Sequence, residues 1–85
     1  MFYVYVVRSL KDRRLYTGPT ADLSRRLAEH NSGKTHSLRN RRPVKLVYCE
    51  EYATRAEAQA RERYFKTPQG GALKQRLVLQ AESGV

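Results

Sequence analysis

The run from Phe2 to Arg8 constrains this chain more than any other stretch. It reads Phe-Tyr-Val-Tyr-Val-Val-Arg, a mix of aromatic and β-branched residues that suits a pleated, packed strand. Ser9 to Arg13 is polar and turn-like. Arg14 to Thr17 predicts a returning strand, and Gly18-Pro19 is expected to end it. Two strands joined by so short a loop form a hairpin, because a parallel pairing needs a crossover of a dozen residues or more.

Helical signals follow. Thr20 and Asp22 are both N-cap types, Leu23 and Leu27 make an apolar stripe, and Asn31-Ser32-Gly33 predicts the end, with Gly33 as a left-handed cap. Val44 to Tyr48 predicts a third strand. Cys49 closes that apolar run, so a buried thiol is expected there, and a lone cysteine excludes an internal disulfide. Thr54-Arg55-Ala56-Glu57 is a capping box and the firmest boundary in the chain. Its helix is expected to run to about Lys66, with Pro68 just beyond. Gly70-Gly71 then reads as a hinge, and Ala72 to Leu79 as a short last helix with Leu73 and Leu77 inward. One domain is expected over residues 1–80, with 81–85 a frayed tail.

The charge is lopsided: 17 Lys and Arg against 8 Asp and Glu, a net +9. Such a domain usually meets a polyanion, nucleic acid first and an anionic membrane surface second. No apolar run is long enough to span a bilayer. The alternative is charge that only aids solubility, but the distribution is uneven. From Lys34 to Lys45 stand Lys34, Arg39, Arg41, Arg42 and Lys45, with His36 and no acid. A chain of 85 residues buries only about 60–65% of its unfolded surface, so any site must be shallow. The stretch Phe2 to Val7 is too short for a secretory signal and has no cleavage site, so a cytoplasmic location is expected.

Four residue types in this chain can act on a phosphodiester. Tyr5 and Tyr16 fall on the two hairpin strands, although tyrosines in strands mostly serve packing. Arg26 and His30 are four apart and share a helix face with Leu23 and Leu27; a charged helix flank is the plain alternative. Glu62 shares a helix side with Ala58 and Phe65. A carboxylate on a core-facing stripe is costly unless it meets a cation, so it either serves a metal or pairs with Lys66 on the next turn.

Tyr3-Val4-Tyr5, then Tyr16-Thr17-Gly18, Arg26 and His30 at their spacing, and the helix carrying Ala60-Arg61-Glu62 and Phe65-Lys66, resemble the GIY-YIG nuclease family. The likeness covers nearly the whole chain and is nearest the small stand-alone bacterial branch, the URI-type endonuclease domain. It implies a fold of the α/β class, α+β in type: a small three-stranded antiparallel sheet flanked by helices, in the order β-β-α-β-α with a further helix. It implies hydrolysis of phosphodiesters with one divalent ion, Mg2+ or Mn2+, and no small-molecule cofactor. By position Tyr16 would be the hydrolytic tyrosine, Tyr5 its neighbour, Arg26 the phosphate clamp, His30 a helix histidine near the tyrosines and Glu62 the metal ligand. Tyr3 replaces the family's first glycine, and Pro19 follows the second motif. Lys74, Gln75 and Arg76 occupy the neighbourhood of an asparagine found in some members, with Lys74 as a substitute phosphate contact.

The expected partner is DNA, single-stranded or branched, since a shallow site reaches exposed backbone easily. Lys34, Arg39, Arg41, Arg42 and Lys45, joined by Arg8, Arg13 and Arg14, would track its phosphates, and Tyr52 is a candidate base platform. A phenol titrates near 10, so only about one in a thousand is ionised at pH 7, and Arg26, the metal and a base such as His30 must supply the difference. The rival readings are a non-catalytic nucleic-acid-binding module on the same scaffold and an RNA-associated structural protein.

Overall fold

The computed structural model describes residues 1–83. Strand β1 (Phe2–Ser9) and strand β2 (Leu15–Thr20) form the hairpin. Helix α1 (Leu23–Ser32), a 3-10 segment (His36–Arg41), strand β3 (Val44–Tyr52), helix α2 (Arg55–Phe65) and helix α3 (Pro68–Glu82) follow. The strands make one antiparallel sheet in the order β2-β1-β3. The α+β architecture implied by the resemblance is therefore the one observed.

Being central, β1 is covered on both faces, which is why it reads as an unbroken apolar run. Val4, Tyr5, Val6 and Val7 are all buried. Tyr5 and Val7 pack with Val44, Leu23 and Leu27 on the α1 side. Val4 and Val6 pack against Ala58, Phe65 and Val78 on the α2–α3 side. The register slips between Val6, opposite Tyr48, and Val7, opposite Leu46. This bulge leaves Val47 over, and Val47 packs with Val78 on the α3 side.

The short-range signals hold. Asp22 caps α1 by accepting from the Arg25 amide (3.1 Å), and Thr20 in turn accepts from the Asp22 amide (3.1 Å). Gly33 ends α1 at φ 88°. Thr54 and Glu57 form the reciprocal capping box of α2. Leu73 and Leu77 are half-buried against Val4, Ala58 and Phe65.

Four long-range expectations fail. First, β2 continues through Gly18 and Pro19 to Thr20, because it is an edge strand, where a missing donor is tolerated. Second, Cys49 is exposed. It lies opposite Tyr5, and α1 covers the Val44 and Leu46 end of β3 instead. Third, Gly70-Gly71 is no hinge but the first turn of α3, with Thr67 as N-cap and Pro68 opening the helix. A Cβ at Gly70 would lie 1.7 Å from the Tyr64 carbonyl oxygen, so the glycine lets α3 start against the end of α2. Fourth, the expected tail is helical through Glu82, whose carboxylate takes a two-pronged contact from Arg8 (2.9 and 3.2 Å). Gly84 and Val85 of that tail lie outside the described residues.

One polar hub ties α2 to the sheet. The Glu50 carboxylate accepts from the Tyr48 hydroxyl (2.5 Å), the Tyr52 hydroxyl (2.6 Å) and Arg61 (Nε 2.9 Å, Nη2 3.2 Å). Arg61 also lies 4.5 Å over the Phe65 ring. Tyr52, whose hydroxyl is engaged here, is half-buried rather than an open base platform.

Candidate active site

The hairpin register sets the tyrosines. Gly18 pairs with Tyr5, and Tyr16 with Val7, so the two rings are diagonal neighbours on one face with centroids 6.5 Å apart. A Cβ on Gly18 would fall 2.7 Å from the Tyr5 hydroxyl. The glycine of Tyr16-Thr17-Gly18 thus clears the space that the Tyr5 phenol occupies.

Helix α1 lays its inner face on these rings. His30 is fully buried. Its Nε2 is 2.7 Å from the Tyr5 hydroxyl and its Nδ1 2.6 Å from the Thr35 hydroxyl, while its ring meets Tyr16 edge-on at 5.5 Å. A neutral imidazole satisfies both contacts, donating on one side and accepting on the other. Burial, then the charge of Arg26, holds the His30 pKa below its usual value. Burial likewise raises that of Tyr5, against the pull of the nearby Arg26 guanidinium. At neutral pH the Tyr5–His30 pair is therefore uncharged, with one guanidinium at its rim. Glu29 steadies that guanidinium through Nη1 at 3.1 Å and also pairs with Arg25 at 3.6 Å. Sequence reasoning passed over Glu29, although its place three residues after Arg26 carried the signal. It also passed over Thr35, which no local pattern marks.

The structure brings Tyr5, Tyr16, Arg26 and His30 together, and carries Glu62 on α2. The Glu62 carboxylate pairs with Lys66, yet its side chain is only 14% exposed. Both sequence observations therefore hold at once: it is on an inward-leaning stripe, and it has found the lysine. No hydrogen bond joins Glu62 to the other four. Lys74, on α3, donates to the Thr17 hydroxyl (3.1 Å). Burial, then the nearby charge of Lys66, lowers its pKa. Thr17 stands between Tyr16 and Gly18 on the edge strand, so the α2–α3 layer reaches the outer edge of the sheet one residue from Tyr16.

Among the described residues no three His, Cys, Asp or Glu side chains gather into a metal cage. A single carboxylate suits a Mg2+ or Mn2+ that keeps most of its water and takes its remaining ligands from a substrate phosphate. Glu62 fits that role on its chemistry, provided the half-exposed Lys66 ammonium gives way.

The basic segment does not present one uniform face. Lys34 and Lys45 are exposed. Arg39 donates to the Gly33 carbonyl (3.2 Å), Arg42 to the Arg39 carbonyl (2.8 Å), and Arg41 pairs with Asp12 (3.5 Å). Lys45 lies opposite Arg8 and lines a recess with Ala81 and Glu82 of α3.

A small antiparallel sheet with two tyrosines, an arginine and a histidine converging on one face defines a class of hydrolytic domain. The family model for the GIY-YIG catalytic domain matches residues 1–74. A UPF0213 protein of Staphylococcus haemolyticus is 47% identical over 66 residues, covering 76% of this chain and 79% of the relative. One from Clostridium perfringens is 48% identical over 67 residues, 78% of this chain and 71% of that one. The solution NMR structure of a UPF0213 protein from Bacillus halodurans superposes with a TM-score of 0.54 at 33% identity, over 91% of this chain and 85% of the other. The chain belongs to the GIY-YIG family. This is a nuclease-type catalytic domain, and the family implies a nucleic-acid substrate. Among the described residues no helix is long and apolar enough to cross a membrane.

Proposed function

We propose that this protein is a cytoplasmic, divalent-metal-dependent endonuclease that hydrolyses phosphodiesters in single-stranded or branched DNA. The observation that carries the reading is the mutual contact of Tyr5, Tyr16 and His30 with Arg26 beside them. Arg26 offers a fork of donors for the non-bridging oxygens of the scissile phosphate. Tyr16, partly exposed beside the buried pair, orients the attacking water and takes its proton. His30 Nε2 is the final acceptor, with Tyr5 as relay. The charge of Arg26 disfavours a protonated His30 in the free protein. A phosphate seated on Arg26 offsets that charge, so His30 becomes a better base when substrate is bound. A bound Mg2+ or Mn2+ on Glu62 would supply charge neutralisation at the leaving oxygen.

Preference for single strands and branches rests on the shallow site and on the open β2 edge, along which a flexible backbone can lie. The pairing of Glu62 with Lys66 favours the rival reading, a binding module without catalysis. Labelled single-stranded, duplex and branched DNA, incubated with Mg2+ and with chelator, separates the two. Cleavage should need the metal, and Tyr16→Phe should lower it by about 100-fold or more with an unchanged melting curve. Glu62→Ala should do the same. Binding without cleavage of any of the three substrates would leave only the module.

A further inference from the structure

A cleft of about 560 Å3 lies between the hairpin and α3, outside the tyrosine cluster. Arg8, Arg13, Arg14 and Lys74 line it, together with apolar Leu15 and Leu79. Its cations are poorly matched by acids. Glu82 is taken by Arg8, and Asp12, on the hairpin turn, is turned to Arg41. Among the described residues, Arg13 and Arg14 have no acidic partner, and both are exposed.

Arg13 is also conformationally odd. Its φ is 68°, the left-handed region that favours glycine or asparagine. The turn is pinned there by the Arg13 amide on the Ser9 carbonyl (2.9 Å) and by Arg8 on the Arg13 carbonyl (2.8 Å). A hairpin turn gains nothing in stability from an arginine at such a place, so the guanidinium is the feature that needs a reason.

The inner end of the cleft is Lys74, bonded to Thr17 and so one residue along β2 from Tyr16. Because β2 is an edge strand, a chain leaving the cleft can pass around its unpaired side toward the tyrosine face. We infer that this cleft holds the phosphodiester backbone of single-stranded DNA flanking the phosphate presented to Tyr16, with Arg13 and Arg14 on the phosphates and bases resting on Leu15 and the largely exposed Leu79. A strand that runs from one face of the sheet to the other must bend sharply around β2. A single strand does so readily, whereas a duplex, stiff over about 150 base pairs, does not. The inference rests on the nucleic-acid reading above but not on catalysis.

The test is binding of fluorescein-labelled oligothymidylate, measured by anisotropy in chelator across a salt series, so that no cleavage intervenes. Each single-strand phosphate contact contributes about 0.7 to the slope of log affinity against log salt, or about fivefold at 0.1 M. Arg14→Gln should lose about fivefold in affinity and about 0.7 in slope, whereas Lys11→Gln, the same charge change on the same turn but outside the cleft, should lose far less. Arg13→Gly should bind more weakly than the parent while melting at the same or a higher temperature, which separates a binding role from a folding role. Equal effects of Arg14→Gln and Lys11→Gln would overturn the cleft, as would unchanged binding by Arg13→Gly or tighter binding of a blunt duplex than of the single strand. No binding of any DNA by the parent protein would remove the nucleic-acid reading itself, a different failure.

Discussion

The two faces of one small sheet bury polar groups in opposite ways. On the α1 face the buried chain Tyr5–His30–Thr35 is neutral, with every contact satisfied and a single cation, Arg26, at the rim. On the α2 face the buried group is an ion. Burial alone would raise the pKa of Glu50, but Arg61 and the hydroxyls of Tyr48 and Tyr52 outweigh it and keep it low. Burial, then the hydrogen bond to the Glu50 carboxylate, pushes Tyr52 up to about 12. The first arrangement holds both groups neutral, so a proton moves between them only when the charge beside Arg26 changes. The second is locked in one state, as suits a staple between strand and helix. Similar side chains thus form a neutral pair in the candidate site on one face and an ionic staple that holds the fold on the other.

Breaking the staple should have the largest effect on stability. Glu50→Ala leaves Arg61 half-buried without its partner and two hydroxyls without an acceptor, which should cost about 3 kcal/mol in urea unfolding. A loss well under 1 kcal/mol would show that Glu50 is not the anchor of α2. Gly18→Ala should come next. Its Cβ would meet the Tyr5 hydroxyl at 2.7 Å, so the phenol must leave His30, at about 2 kcal/mol, and cleavage should fall with it. Ordinary melting together with full activity would show that the Tyr5–His30 contact is dispensable.

Acid should sharpen the contrast. His30 has a folded pKa below its unfolded value of about 6.5, so the unfolded chain takes up a proton first. Stability is therefore full above about pH 6.5 and lost as pH falls toward the folded value, with a slope of at most about 1.4 kcal/mol per pH unit. Glu50, also depressed, should add its own loss only in the carboxylate range. His30→Gln should flatten the upper limb alone, and an unchanged limb would place that titration elsewhere. The smallest effect is expected from Lys66→Ala. It removes a pair whose lysine is largely exposed and should shift stability by only about 0.4 kcal/mol in the same unfolding assay.

What could be read from the chain and what could not divides by distance. Asp22, Gly33 and the Thr54–Glu57 box were legible because a cap depends on residues within about four positions of itself. The Arg26–His30 pairing on one helix face was legible for the same reason. The identity of the phenol that His30 touches was implied by family resemblance and not by any local rule. The fates of Pro19 and Cys49 were not legible because each is set by position in the sheet, and that of Gly70 because it depends on how α3 starts against the end of α2.

Local chemistry and spacing by themselves determined the hairpin, the starts of α1 and α2 and the excess of positive charge, and the family resemblance pointed to the candidate residues for acting on a phosphate. Only the folded arrangement decided that His30 is buried between Tyr5 and Thr35, that Gly18 and Gly70 are needed for close approach, that Glu50 is a hub, and that Arg13, Arg14 and Lys74 share a cleft. The physical reason is that hydrogen-bond caps and strand alternation act over a turn or two of chain. Burial and charge pairing instead depend on which element covers which face, and that is set only when the whole chain packs.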